Sequence, residues 1–281
     1  MSKAKKVILL LVEGITDSAA PNQPAPLDVK LLFNVALLAG EILLSSGAEI
    51  YRVEDTIYRL LRISGYEGTE SFVTPTSILM TLSDPSADTI TTLRRISVRE
   101  NNLERVAQVN TLARRLCAGE MSVEAAHAEL LAIQKNNGYP RWAKILLMFL
   151  LPSCFYLFFG GVSAAGGLIC LAAGAWLSLA RELMVRQSVV RFFHDLISAA
   201  GVAFLASFLT HLISADASAN LIIISSIMPL VPGVAITTAI RDVLHGDYQS
   251  GTARAAEAFL TATAIAVGVG AGIFLYRLIL W

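Results

Sequence analysis

Between Ala219 and Ile240 the chain carries no charged residue, yet Pro229, Pro232 and Gly233 interrupt the run. A proline inside a helix costs roughly 3 kcal/mol, because it removes a backbone donor and crowds the preceding turn. Pro229 has no N–H to offer the carbonyl of Ser225, and Pro232 none to offer that of Met228. Both carbonyls are expected as free acceptors. A new half-helix starting near Gly233 is expected to present free N–H groups at its positive end, a setting that suits an anion such as a carboxylate. Ser225, Ser226, Thr237 and Thr238 place hydroxyls within about two turns of the break. The simpler alternative is a kink that serves packing alone. Two prolines with a glycine, flanked by hydroxyls, favour a binding site made from these seven residues.

Charged groups follow directly. Asp242 beside Arg241 reads either as an interfacial ion pair worth under ~1 kcal/mol or as a gating or proton-coupling group, with Asp247 close by. Glu49, Glu54 and Asp55 could act as paired carboxylates. With Arg52 and Arg59 at helical spacing, a solvated helix face is the simpler reading. His194 with Asp195 reads either as a proton relay or as an anchor at a membrane interface. The three cysteines, Cys117, Cys154 and Cys170, lack metal-ligand spacing. No metal site, disulfide framework or cofactor is expected. The sequence holds no Walker A motif, HExxH or GxSxG elbow.

The elements that carry these residues divide at about Arg141. The chain has 281 residues, 55% hydrophobic and 16% charged, with a mean hydropathy of +0.61. The charged residues crowd before that point and long apolar runs follow it, so a cytosolic α+β domain at 28–138 is expected to precede a helical membrane domain at 139–281. Leu32, Val35, Ala39 and Ile42 recur at helical steps. Ser46 and Glu49 match a capping box opening a second helix, whose apolar face is Ile50, Val53, Ile57 and Leu60. The segments ESFVT, SILMTL and DTITTLRRI read as strands. Helices are expected over 101–117 and 122–136, with Ser122 as a cap and Gly119 and Gly138 as stops. VILLLV near the start is shorter than the apolar core of a signal peptide, so residues 1–27 are expected as a flexible tail.

Five spans are expected, at about 142–160, 163–180, 193–213, 219–240 and 256–276. Lys135, Arg141, Lys144, Arg181, Arg186, Arg191, Arg241 and Arg254 lie on one side of them, and Arg277 on the other. This asymmetry puts the N-terminal domain in the cytoplasm and the C-terminus outside. The net charge is zero, which argues against nucleic acid as a partner. Ala264, Gly268 and Gly272 form a small-residue stripe able to meet a helix of this chain or of another. Five spans alone enclose a polar path poorly, so a partner membrane protein or further copies of this chain are expected.

Four stretches carry a resemblance: AGEILLSSGAEIYRVEDTI at 39–57, YPRW at 139–142, PLVPG at 229–233, and RDVLHGDYQSGTAR at 241–254. With their order and spacing, the chain resembles the threonine/serine exporter family in its split form, where a larger subunit works with a separate small membrane protein. The resemblance implies outward secondary transport of small carboxylated metabolites across a bacterial inner membrane. Threonine and serine are associated with the family, and succinate with its split form. It also marks Ser46, Gly47, Glu49, Arg52 and Glu54 as a motif of the cytosolic domain. Fused members carry about ten spans, so this chain looks like half of a membrane domain. A membrane-anchored enzyme acting through the cytosolic domain, and a membrane scaffold or sensor, remain the alternatives.

Overall fold

The computed structural model describes residues 28–280 apart from 86, 98–99, 137, 188–189 and 214–216. The expected tail at 1–27 lies outside the described residues. Asp28 opens the first helix, α1 (Val29–Ser45), by accepting hydrogen bonds from the N–H groups of Lys30 and Leu31. The end of α1 shows why SSG breaks the run. Gly47, at φ +86°, donates to the Leu44 carbonyl, and Ala48 to that of Leu43. This is the paired-bond helix stop that a left-handed glycine permits. Ser46 is thereby the last cap of α1 and cannot open the next helix. The expected Ser46–Glu49 capping box does not form: α2 (Ile50–Leu61) begins at Glu49, with no side-chain cap from its own neighbourhood.

The amphipathic α2 buries Ile50, Val53, Ile57 and Leu60 and turns Arg52, Asp55, Arg59 and Arg62 outward. A short 3-10 turn leads into an antiparallel meander of β1 (Gly68–Thr74), β2 (Ser77–Asp84) and β3 (Ala87–Arg95). Val73, Ile78, Met80 and Leu82 cover the helix-facing side. Then come α3 (Leu103–Cys117) and α4 (Val123–Lys135), the latter capped by Ser122 through the Ala125 N–H. All of these elements share one buried core, running from Leu32 to Ile133.

The remaining helices build separate apolar clusters. They are α5 (Arg141–Phe158), α6 (Ala164–Arg186), α7 (Arg191–Ile213), α8 (Ala219–Ile227), α9 (Gly233–Leu244) and α10 (Tyr248–Leu280). Four are long and apolar enough to cross a membrane. The fifth span is broken: α8 and α9 meet across a short 3-10 turn at Met228–Leu230 with a bend of 57°. The chain is thus mostly helical, with a small sheet near its N-terminus and membrane helices after it. The last helix differs from its expected range. It starts at Tyr248 and runs for 33 residues, so Arg254 sits inside it rather than in a connecting loop.

The small-residue stripe is satisfied within the chain. The Cα of Gly268 lies against the backbone of Leu196 and the methyl of Ala199, and that of Gly272 against Ala200 and Ala203. Ala264 is fully buried. The stripe is therefore the α7–α10 contact and is not free for a partner. Gly268→Ala would force the two helices apart, and overpacking of this kind costs about 1–3 kcal/mol. The expected result is a lower melting temperature in detergent at unchanged membrane insertion.

Candidate functional site

At the break, the backbone recovers more hydrogen bonds than the proline pattern suggests. The Met228 carbonyl, expected free, accepts from the Val231 N–H at 3.2 Å. The Gly233 N–H, also expected free, donates to Val231 O at 2.9 Å. A tight turn has replaced the lost helical bonds, as exposed backbone in lipid requires. No side chain caps the first turn of α9. The donors left to that turn are those of Val234 and Ala235. Pro229 and Pro232 are half-buried, while Gly233, Val231, Val234 and Ile236 are exposed on the face of this chain.

The four hydroxyls are placed less uniformly. Ser225 donates to Leu221 O at 2.7 Å, Thr237 to the carbonyls of Gly233 and Val234, and Thr238 to those of Val234 and Ala235. Each bonds back to its own helix, a habit of Ser and Thr that bends helices. Ser226 is fully buried and its hydroxyl has no hydrogen-bond partner; it sits beside Cys170 of α6. Only Thr237 among the four is exposed. Ser225 and Ser226 face the interior of the bundle, and Thr237 faces out with the break.

One helix-length along α9, about 14 Å at 1.5 Å per residue, the charged residues meet the N-terminal elements. Asp242 is fully buried, and Arg254 of α10 is 8% exposed. Their charges face each other at 3.2 Å, without the alignment of a hydrogen bond. The other carboxylate oxygen of Asp242 accepts from the Ile50 N–H at 3.2 Å. That is the first turn of α2, so the missing helix cap comes from a residue 192 positions away. A carboxylate there satisfies an orphan donor and meets the positive end of the helix. Arg254 completes the joint by donating to the Ala48 carbonyl at 2.9 Å. Asp242 therefore pairs with Arg254, and not with Arg241 as the sequence suggests.

Arg241 pairs instead with Glu49, which also holds Arg52. Glu49 is buried, so it does not lie on a solvated face. Asp55 does: it pairs with the exposed Arg59. The rings of Tyr51 and His245 stack at 4.1 Å between centroids. Glu54 accepts from the Val73 N–H at 2.9 Å. Burial pushes its carboxyl above the usual range, the Val73 bond opposes this, and the nearby Asp247 charge adds to it. Asp247 itself sits at the start of α10, half-buried. The two motifs at 46–54 and 241–254, far apart in sequence, form one polar joint. Arg254 and Tyr51 are its unforeseen members. Arg254 closes the motif at 241–254 and counts among the topology charges, but its pairing was not foreseen; the sign that it lies on a helix is the run ARAAEA.

A cleft of about 510 Å³ opens between α2 and the sheet, lined by Glu54, Asp55, Tyr58, Glu70 and Phe72 among others. Its lining adds the hydroxyls of Thr69, Ser71 and Thr81 to the carboxylates of Glu54, Asp55 and Glu70. Among the described residues, no cluster of ligating side chains could hold a metal ion.

The family model described as "Putative threonine/serine exporter" matches residues 34–276. The chain belongs to the threonine/serine exporter family. Both halves of the polar joint and the whole broken span fall inside the match. Among relatives in this exporter family, "Probable succinate transporter subunit YjjP" of Klebsiella aerogenes is 26% identical over 225 residues, covering 79% of this chain and 85% of that protein. The protein of the same name in Escherichia coli is 25% identical, covering 82% and 89%. "Probable threonine/serine exporter" of Mycobacterium tuberculosis is 23% identical over 252 residues, or 84% of this chain. The chain spans 45% of that protein's length. No solved structure matches the chain.

The joint predicts a specific energetic pattern. Removing one member of a buried charge pair strands the other and costs about 3–5 kcal/mol, whereas removing both can be nearly neutral. Asp242→Asn and Arg254→Gln should each lower the melting temperature of the purified chain. The double variant should lose clearly less than the sum. Additive losses in such a double-mutant cycle would show that the two charges do not interact.

Proposed function

We propose that the chain is the larger subunit of a two-component exporter in a bacterial inner membrane, moving small carboxylated metabolites outward: threonine and serine, or a C4-dicarboxylate such as succinate. The observation that carries the reading is the break between α8 and α9, with an uncapped helix start exposed on the chain's own surface. A carboxylate bound there would meet the Val234 and Ala235 N–H groups and the positive end of α9. Pro229, Pro232 and Gly233 form the site with the exposed Thr237 hydroxyl beside it, while Ser225, Ser226 and Thr238 lie behind it in the bundle. In lipid, such a start needs protein or water beside it. A separate small membrane subunit would supply that wall, as the word "subunit" in two relatives' names and the double length of a third suggest.

The basic residues orient the assembly, with the N-terminal domain at 28–138 in the cytoplasm and the C-terminus outside. The polar joint then lies at the cytosolic mouth. There the N-terminal domain grips the far end of α9 through Asp242, Arg241 and the residues after Gly47. Asp242, Arg241 and Asp247 act in this reading as the gate. Releasing Asp242 from Ile50 lets α9 swing about the Pro-Gly break.

The test is initial efflux of labelled threonine, serine and succinate from liposomes, with and without the small subunit. Transport is expected only from the pair. Pro229→Ala with Pro232→Ala, at matched abundance, should lose more transport than any single change among Ser225, Ser226, Thr237 and Thr238, each of which removes at most one bond to the substrate, worth about 1 kcal/mol net. If the double alanine variant transports like the parent, the break is a packing kink. Hydrolytic turnover by the purified chain without flux would favour the enzyme reading.

A further inference from the structure

A strand edge borders the cleft between α2 and the sheet. In the order β1-β2-β3, β1 is an outer strand. Its Val73 N–H turns away from β2 and donates to Glu54 of α2. Backbone direction alternates along an antiparallel ladder, so Ser71 turns its N–H and carbonyl the same way, into the cleft that it lines. Two residues earlier, the Thr69 N–H is tied locally to the Glu67 carbonyl. An open edge of this kind is a template for one more strand.

The sheet face beside this edge is apolar and uncovered. Phe72, Leu79 and Leu93 stand opposite one another across the three strands, and they are 56%, 40% and 69% exposed. Phe72 and Leu79 line the cleft, with Tyr58 of α2 on its other wall. The lining carries the carboxylates of Glu54, Asp55 and Glu70 and no Lys or Arg. Arg59 meets Asp55, so Glu54 and Glu70 set the sign of the charge. Such a seat fits an apolar, strand-forming segment that brings positive charge with it.

A segment of that chemistry lies in this chain, ahead of the described residues. Lys3, Lys5 and Lys6 precede VILLLV at 7–12, and no acidic residue comes before Glu13. Val and Ile favour strands, and a six-residue apolar segment left uncovered is an aggregation hazard. The tether is long enough. Residues 13–27 number 15 and span up to about 50 Å when extended. Gly40, which packs on Ile57 of α2 and Ile78 of β2, stands only about 18 Å along α1 from Asp28. A tether of this kind holds its segment at roughly millimolar local concentration.

We propose that residues 7–12 of this same chain dock in the cleft as a further strand on the edge of β1, with apolar side chains over Phe72 and Leu79 and the preceding lysines beside Glu54 and Glu70. Backbone bonds to Ser71 hold the strand, and the apolar row fixes which side chains face the sheet. A lysine beside Glu54 also eases the burial that pushes its carboxyl upward. The seat shares α2 with the polar joint, since Glu54 lies one turn beyond Ile50. The docked segment therefore straps α2 to the sheet next to the cap that Asp242 supplies. None of this rests on the exporter reading.

A photoreactive benzoylphenylalanine in place of Leu10, in the full chain in lipid nanodiscs, tests the occupant. Unlabelled and nitrogen-15-labelled chains are mixed before reconstitution, so that links within one chain and between chains differ in mass. The expected links run within one chain, to residues 54–58 or 69–81. Links to lipid alone put the segment at the membrane surface, and links between chains make a second copy the occupant. Either result overturns the proposal, as does the absence of links. Phe72→Glu places a charge on an exposed position of the seat and should cut the link several-fold; an unchanged link overturns the seating on that row. Hydrogen exchange checks the added strand without altering the cleft. Exchange across 69–73 should rise about tenfold in a chain lacking residues 2–12, because the Ser71 N–H loses its partner. Unchanged exchange there overturns the strand.

Discussion

A single carboxylate, that of Asp242, holds the two parts of this protein in register. It is fully buried, faces the Arg254 charge, and accepts from the first N–H of α2. The chain around it is shaped by this demand. Gly47 adopts a left-handed turn so that α1 can stop and α2 start within a few residues, which turns the bare start of α2 toward the membrane helices. The helix α10 begins early enough to carry Arg254 to the same point. Glu49 and Arg241 add a second pair beside the first. A buried charge pair is not a strong source of stability, because desolvation offsets most of the attraction. Its value here is positional: it ties the end of a broken membrane helix to a separately packed domain.

The broken helix gives that tie a consequence. α9 is short and stiff, with the bend at one end and Asp242 at the other. The turn at Met228–Leu230 gives the Met228 carbonyl and the Gly233 N–H new partners, so the bend is held by backbone bonds of its own. What it leaves open is a helix start without a cap, on a face this chain does not cover. In the exporter reading, motion at the joint and access at the break are the two ends of one lever.

Much of the architecture was legible from local signals. Ser122 and Gly119 mark the ends of the helices they were expected to mark, the meander strands follow their β-branched runs, and the apolar face of α2 is buried residue for residue. Those features depend on neighbours within a few positions. The Ser46–Glu49 capping box failed for an instructive reason. Two adjacent helix ends compete for the same serine, and the glycine stop took it. The cap on Ile50 could not be read, because its donor and acceptor lie 192 residues apart. For the same reason Arg241 was matched to its sequence neighbour, although a helix turns adjacent side chains about 100° apart and sends Arg241 and Asp242 to different partners. The stripe at Ala264, Gly268 and Gly272 was legible as a contact but not as a contact with α7, since periodicity names a face and never its neighbour.

The account's central claim is that the joint must open for transport. It can be tested by closing it covalently. Tyr51 and His245, whose rings stack across the joint, are replaced by cysteines in a chain otherwise free of them, and the two thiols are bridged with a short reducible cross-linker. Efflux is then compared before bridging, after bridging and after reduction. The account predicts full loss of efflux on bridging and its return on reduction. A bridged chain that exports at the parent's rate would contradict it.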